Sequence, residues 1–455
     1  LIRLLAFFII VTISIPAAHS QATKTVWTLE ECLKYSIKNN IAVNQADLNQ
    51  KVSKNNYIQS KIALLPSVST NLSYSFSFGY SIDPTNYSYV KQNSQSFLPT
   101  GQANLNLFTG LQQINTIKKD KYDLAGYNGD YLNAINTTAL NVTNLFLQIV
   151  LDKELVKAAE KQVSISQSQL DVTQAKIKAG TLAETAVYDF EAQLARDQAT
   201  LISQKNSVEI AVLALQIALQ LPDQQAFDIS VPDINIASVM TFDKLDVNDI
   251  YHYALKNQPS VKAAQARVKS ALYSIKIARG AMSPTFSVTY NTRDNYFNQP
   301  SYSYTNGQLV YSLPSFAEQF KQNISNSISF NASIPIFSNW QRMTNIANAK
   351  LQYKIQELNV DNANNNLRRD VYQAYANARG NAETYVANLK ALESQRMAYQ
   401  AAQRRYDAGL AAAFELEQSR DNLAKTESNA IQAKYNYIFS VKVLDYYQGI
   451  AITLN

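Results

Sequence analysis

The 455-residue chain carries 41 Lys and Arg against 35 Asp and Glu, and 46% of it is apolar. That length suffices for two or three domains, and so small a basic surplus, with no Lys/Arg run, excludes nucleic acid as an expected partner. Cys32 is the only cysteine and His19 and His252 the only histidines, which excludes an internal disulfide and leaves no His-based catalytic or metal-ligand set.

Residues 1–20 read as a secretory signal. Arg3 provides the basic region, Leu4 to Ile15 the apolar core, and Pro16-Ala17-Ala18-His19-Ser20 the small residues before a cleavage site. The core is too short to span a bilayer as a helix. No later stretch is apolar for long enough to do so. An exported chain of this kind is either soluble or a β-barrel.

Beyond the signal the chain repeats itself. Thr28-Leu29-Glu30-Glu31 has its counterpart at Asp246-Val247-Asn248-Asp249, and Ala63-Leu64-Leu65-Pro66 has its counterpart at Ala281-Met282-Ser283-Pro284, both at one offset. Leu107-Phe108-Thr109-Gly110 matches Ile336-Phe337-Ser338-Asn339, and Lys178-Ala179-Gly180 matches Asp407-Ala408-Gly409, both at a second, larger offset. The change of offset places an 11-residue insertion between Pro284 and Phe337. Each half reads as helix, Pro, strand, loop, strand, very long helix, Gly turn, long helix. The first repeat occupies 21–235 and the second 236–455.

Four segments alternate between apolar and polar residues over most of their length. The first repeat supplies strands at about 67–78 and 97–108, the second at about 285–294 and 324–337. Leu72, Tyr74, Phe76, Phe286, Val288, Phe330 and Ile334 fall on an apolar face; their neighbours are almost all Ser, Asn, Thr or Gln. A period of two puts one set on each side of a sheet. An apolar side and an uncharged polar side fit a barrel with lipid outside and water inside, and the former set is expected to face lipid. A soluble, half-buried sheet shares the alternation. Residues 79–96 and 291–323, rich in Tyr, Asn, Ser and Pro, are expected to be long loops.

Long helices are expected at about 110–179, 181–221, 339–408 and 412–448. The first runs from Gly110 to Ala179 without a Pro, about 105 Å of helix at about 1.5 Å per residue. Leu132, Ile135, Ala139, Val142, Phe146 and Ile149 step by three and four; Leu416, Leu423, Ala430, Tyr437 and Leu444 repeat by seven. This is coiled-coil spacing, shared by any antiparallel hairpin core. Lys153, Glu160, Gln167 and Gln174 interleave with the seam and predict a partly solvated face. Scarce glycine, 11 in all, suits such helices, and 28 Tyr suit surfaces between water and lipid. Residues 221–248, with Pro222 and Pro232, link the halves.

The expected fold class is therefore mainly α with a membrane β-barrel: long antiparallel coiled-coil helices plus four transmembrane strands per chain, in a twofold repeat. About eight strands are needed to close a barrel, so several chains must share one.

In these marks the chain resembles the TolC-like outer membrane efflux proteins: Thr-Leu-Glu-Glu at 28–31, the Ala-x-x-Pro entries at Pro66 and Pro284, and Leu-Phe-Thr-Gly at 107–110. The Arg-Tyr-Asp-Ala-Gly-Leu run at 405–410 and Ala-Lys-Tyr-Asn-Tyr at 433–437 complete the set. The resemblance implies a homotrimer whose barrel closes on trimerisation in the outer membrane of a Gram-negative bacterium, with the helices in the periplasm. It implies a passive exit duct of a tripartite efflux or type I secretion system, with a periplasmic adaptor, an inner-membrane pump and outer-membrane lipid as partners. It implies no cofactor, no metal and no catalysis. It also makes the turns at Gly180-Thr181 and Gly409-Leu410 the adaptor-facing tips, where turn glycines without a contact role are the plainer alternative. A tunnel constriction is implied near the tip: Tyr406 keeps the latch tyrosine position, Ala411 stands at the latch arginine position, and Glu415 and Gln418 hold the two acidic positions. Asp189, the first-half counterpart of Gln418, is the candidate for the missing charge. A secreted coiled-coil adhesin is the main rival reading. An enzyme or a simple porin fits less well, because no nucleophile–base pair appears and a porin needs no such helices.

Overall fold

The computed structural model describes residues 26–82, 89–222, 226–232, 246–299, 301–451 and 453. The expected signal segment lies outside them. The first half runs β1 (Val26–Trp27), α1 (Leu29–Asn39), α2 (Ile41–Ile62), β2 (Ser67–Ile82), β3 (Tyr89–Thr109), α3 (Gln112–Lys178) and α4 (Ala186–Leu219). After β4 (Asp228–Ile229) come α5 (Val247–Asn257), α6 (Pro259–Gly280), β5 (Thr285–Arg293), β6 (Tyr296–Phe297), β7 (Ser301–Thr305), β8 (Gln308–Ser312), α7 (Phe316–Gln322), β9 (Ser325–Ser333), α8 (Gln341–Asp407) and α9 (Ala413–Gln448).

The repeat is visible in the element boundaries. Leu29 and Val247 open α1 and α5, Ile41 and Pro259 open α2 and α6, and Ser67 and Thr285 open β2 and β5, always at the first offset. Gln112 and Gln341 open α3 and α8 at the second offset, and both helices have 67 residues. Backbone conformation repeats as well. Gly110 and Leu111 have positive φ, as do Asn339 and Trp340 at the equivalent turn.

Three segments differ from expectation. The strands 67–78 and 97–108 are longer: β2 continues to Ile82 and β3 starts at Tyr89, so much of 79–96 is sheet, not loop. Gly79 interrupts the pattern, yet Tyr80 resumes it. The segment 291–323 is structured too, holding β6, the β7–β8 hairpin and α7. β9 stops at Ser333 rather than 337, because Pro335 has no amide hydrogen for a ladder. Ile334 therefore lies just beyond the strand, exposed.

Two compact units divide the chain. One comprises residues 44–134 and 248–371 and contains the antiparallel sheet, in the order β2-β3-β5-β9 with β6 added beside β3. Its register sets the faces. Val68, Ala103, Tyr290 and Ile328 form one cross-strand row; Leu105, Val288 and Phe330 form the next; Phe108, Phe286 and Ala332 a third. The intervening rows are Ser67, Asn104, Thr289 and Ser329, then Ser69, Gln102, Asn291 and Ser327. On the polar side Ser75 bonds Ser96 at 2.7 Å and Thr289 donates to Asn104 at 3.1 Å. Much of the apolar side is bare: Leu72, Phe76 and Phe330 are exposed by 67%, 56% and 79%.

The other unit comprises the described residues within 26–43, 135–247 and 372–453. Its core joins Phe146, Ile149 and Val150 of α3 to Leu215 and Leu219 of α4, Ile438 of α9 and Cys32 of α1, all nearly inaccessible. Each full burial of a large apolar side chain of this kind stabilises by about 1.5–3 kcal/mol. One stretch of α3 is apolar and long enough to cross a bilayer by composition alone; Val142, Phe146, Ile149 and Val150 instead pack into this core. A Thr28–Glu31 capping box starts α1. β1 pairs with β4 in parallel, and Lys153 of α3 pins the pair by donating to the Asp228 carboxylate and the Ile229 carbonyl. The heptad on α9 points inward: Leu416, Ala430, Tyr437 and Leu444 are buried and Leu423 half-buried. Glu160, Gln167 and Gln174 of α3 are exposed.

Candidate functional site

The candidate site lies where the long helices turn, within the second unit. α3 ends in a left-handed residue, Gly180 at φ 73°. Its amide donates to Ile177 O at 2.9 Å and the Thr181 amide to Lys176 O at 3.0 Å. α8 ends identically: Gly409 has φ 72°, its amide donates to Tyr406 O at 2.9 Å, and the Leu410 amide to Arg405 O at 2.8 Å. Both are Schellman caps, which close the last carbonyls and need a residue without a Cβ penalty. Gly180, Thr181, Gly409 and Leu410 are all exposed, Leu410 by 72%. The two turns therefore present small or apolar surface.

Behind the turns the aromatic and charged residues separate into two groups. Tyr406, half-buried, meets Phe190 edge-on at 6.4 Å, carries Lys176 Nζ 5.4 Å from its ring, and shares a hydrogen bond with Thr173. Burial raises its phenol above the ordinary range. Glu415 stands in the first turn of α9, exposed, with Arg405 Nη1 3.4 Å from its carboxylate. A pair so exposed contributes little to stability. Asp189 and Gln418 are exposed as well. Arg405 thus supplies a cation to Glu415 from a different position than Ala411, where the resemblance looks for one.

Further into the helices is a buried charge cluster that spacing alone did not reveal. Arg420 of α9 is 2% exposed. Its Nη1 donates to Ser166 Oγ of α3 at 2.7 Å and its Nη2 to Asp197 Oδ2 of α4 at 3.2 Å. Ser166 also donates to Asp197. Arg420 Nη2 lies 2.7 Å from Glu417 Oε2 and 3.5 Å from Asp421 Oδ1. Gln193 donates to Asp197 and Asp421. Both Glu417 carboxylate oxygens and Arg420 Nε are nonetheless buried without a hydrogen bond. Burial pushes the Glu417 carboxyl up to about 7; Arg420 and Arg196 oppose this, while Asp421 and Asp197 reinforce it. A cleft of about 490 Å³ opens alongside, lined by Gln162, Arg196, Asp197, Asp421 and Lys425 among others. The i, i+3 spacing of Glu417 and Arg420 was readable, but Asp197 lies 223 residues away in sequence.

The outer membrane efflux protein family model matches residues 33–219 and 250–447. Outer membrane efflux protein BepC of Brucella suis biovar 1 is 19% identical over 417 residues, covering 90% of this chain and 83% of that protein. The crystal structure of CusC superposes with a TM-score of 0.78 at 16% identity, over 95% of this chain and 96% of that one. VceC of Vibrio cholerae gives 0.76 at 12% identity, over 93% and 97%. The open state of the MtrE channel of Neisseria gonorrhoeae gives 0.73 at 16% identity, over 93% and 89%.

Proposed function

The chain belongs to the outer membrane efflux protein family, and we propose that it is one protomer of the passive exit duct of a tripartite efflux or type I secretion system. The observation that carries this is the sheet. It has one apolar and one uncharged polar face, and among the described residues its edges β2 and β9 are unpaired within the chain. An open edge facing lipid leaves amides and carbonyls without partners, so it does not persist in a bilayer. Four strands do not close a barrel. The edges therefore pair between copies, and three copies, the state that the resemblance implies, give twelve strands around a water-filled bore. Family and fold are those of transport channels, so energy comes from an inner-membrane pump, reached through a periplasmic adaptor.

The repeat specifies how the copies join. Ser67 faces Asn104 in the first half, and Thr285 faces Ser333 in the second. If the junction between copies repeats the β3–β5 register, where Gln102 faces Asn291, then Asn331 of one copy faces Ser73 of the next. Oxidation of an Asn331→Cys, Ser73→Cys double variant, with Cys32 replaced by Ala, yields covalent trimers in the outer-membrane fraction. Equal yield from Asn331→Cys with Ser77→Cys contradicts the register. A chain found only in soluble fractions, without heat-modifiable migration, contradicts the duct.

At the periplasmic end the exposed turns at Gly180-Thr181 and Gly409-Leu410 are the proposed adaptor contacts. Their matched caps support this, because they hold two similar knobs in one shape. Glu415, Asp189, Gln418 and Tyr406 are the proposed constriction. Glu415, Asp189 and Gln418 are solvent-exposed, as lumen-lining groups need to be, while Tyr406 is held to Phe190 and acts by fixing the turn.

A further inference from the structure

The segment between β5 and β9 carries the insertion, and its helix α7 has no counterpart among the described residues of the first half. A helix in such a loop is expected to fold into the bore, as loop plugs do in other barrels. The contacts of α7 place it on the opposite side of the sheet.

Phe97 of β3 lies opposite Tyr74 of β2, and their rings are 6.2 Å apart. Further along the same pair of strands, Pro99 lies opposite Leu72. Phe97 therefore belongs to the apolar face. Tyr296 of β6 pairs with Phe97 and shares that face. Phe316, the first residue of α7, sits 6.2 Å from Phe97 and 5.2 Å from Tyr296, and its ring stacks on Phe320 at 5.7 Å. The helix is fastened there. Ser315 and Glu318 form a capping box. Gln319 is buried; it accepts from the Phe297 amide at 3.0 Å and donates to the Phe297 and Pro314 carbonyls at 2.9 and 3.0 Å. Asn323 donates to Asn295 O at 2.7 Å. Yet Phe316, Phe320 and Leu313 are exposed by 50%, 42% and 56%.

Height follows from the strand. β3 ends at Thr109, the rim that leads into α3, and Phe97 stands well up the strand from it. At about 3.3 Å per residue and a tilt of about 40°, Phe97 is about 30 Å above that rim, where an apolar band about 25 Å tall gives way to its aromatic girdle.

We propose that α7 is an interfacial fin on the outer wall of the barrel, seated at the headgroup–acyl boundary of the outer leaflet with Phe316, Phe320 and Leu313 in contact with lipid. The ligand is a lipid surface. Aromatic side chains favour that boundary, and an amphipathic helix buries its apolar face there. The fin continues the apolar wall of Leu72, Tyr74 and Phe76, and the inference rests on that wall being the lipid-facing one.

Site-directed spin labelling tests it. Cys32 is buried; with it replaced by Ala, nitroxides are placed at Phe320→Cys and Leu313→Cys, which leave the Phe316–Phe97 contact intact. Phe330→Cys, in the Leu105–Val288 row near the middle of the band, marks the wall and Ser73→Cys the polar face. In proteoliposomes of phosphatidylethanolamine and phosphatidylglycerol, collision with oxygen reports lipid and collision with a water-soluble nickel chelate reports water. Labels at 313 and 320 are expected to side with Phe330→Cys, with a ratio of oxygen to nickel accessibility between that of Phe330→Cys and that of Ser73→Cys. Labels at 313 and 320 that follow Ser73→Cys, while Phe330→Cys reports lipid, overturn the fin and leave the duct standing. A Phe330→Cys label that reports water overturns both.

Discussion

Replacing Glu417 by Gln isolates the buried cluster that ties α9 to α3 and α4. The carboxyl is held near pH 7 rather than its ordinary 4.5 because burial penalises its charge. That difference corresponds to about 3 kcal/mol between the charged and neutral forms. The sign is fixed by linkage: the packed state binds a proton that an opened state releases. Packing of α9 on α4 is therefore fully supported below about pH 4.5 and progressively weakened as pH rises through about 7. Glu417→Gln keeps the shape and abolishes the titration, while Arg420 retains Asp197, Asp421 and Ser166. The assay is hydrogen–deuterium exchange of the purified protein in its native assembly, following the turns flanking Arg420 and Asp197 and correcting for intrinsic exchange at each pH. Between about pH 5 and pH 8 the wild type loses protection by up to about a hundredfold, the equivalent of about 3 kcal/mol, and Glu417→Gln stays flat. Parallel pH profiles for the two proteins refute the assignment.

Four further outcomes follow from the geometry. Glu415→Ala removes the partner of Arg405 and one proposed constriction charge, so single-channel conductance rises or cation preference falls; an unchanged current trace removes Glu415 from the constriction. Val288→Lys places a charge on the apolar face and costs about 2–4 kcal/mol if that face meets lipid near its midplane, whereas Thr289→Lys, on the opposite face, leaves heat-modifiable trimer yield near wild type; equal yields contradict the two-faced sheet. Gly409→Val forces a β-branched residue to a φ of 72°, a strain of about 1–3 kcal/mol, and is expected to increase protease nicking between α8 and α9 without lowering trimer yield. Photo-crosslinkers beside Gly180 and Gly409 capture the adaptor more efficiently than one at mid-helix; uniform capture along the helices rules out the tips.

The strands and long helices were legible because both patterns are periodic and uninterrupted. Leu72 through Phe78 alternate without exception, and the heptad from Leu416 to Leu444 turns its residues inward throughout. Strand ends were less legible. Tyr80 and Ile82 continue β2 beyond Gly79, and only pairing with Lys91 and Tyr89 reveals it. α7 was hidden because its 7 residues are too few for a helical period; the Ser315–Glu318 box was its one local signal. The cluster at Arg420 was illegible for a different cause. Its members come from three helices, and no short-range pattern predicts which carboxylate a buried arginine meets.

That cluster also bears on descent. By the offset that relates Gly180 to Gly409, the first-half equivalent of Arg420 is Glu191 and the second-half equivalent of Asp197 is Thr426. A ring built from six copies of the first half sets Glu191 against Asp197, two like charges. A ring of six second halves seats Arg420 against Thr426, so Arg420 keeps Glu417 and Asp421 of its own helix but loses the carboxylate that reaches it from α4. At this cluster the two halves are complementary: the arginine comes from one and the carboxylate that reaches across to it from the other, and a single polypeptide supplies both.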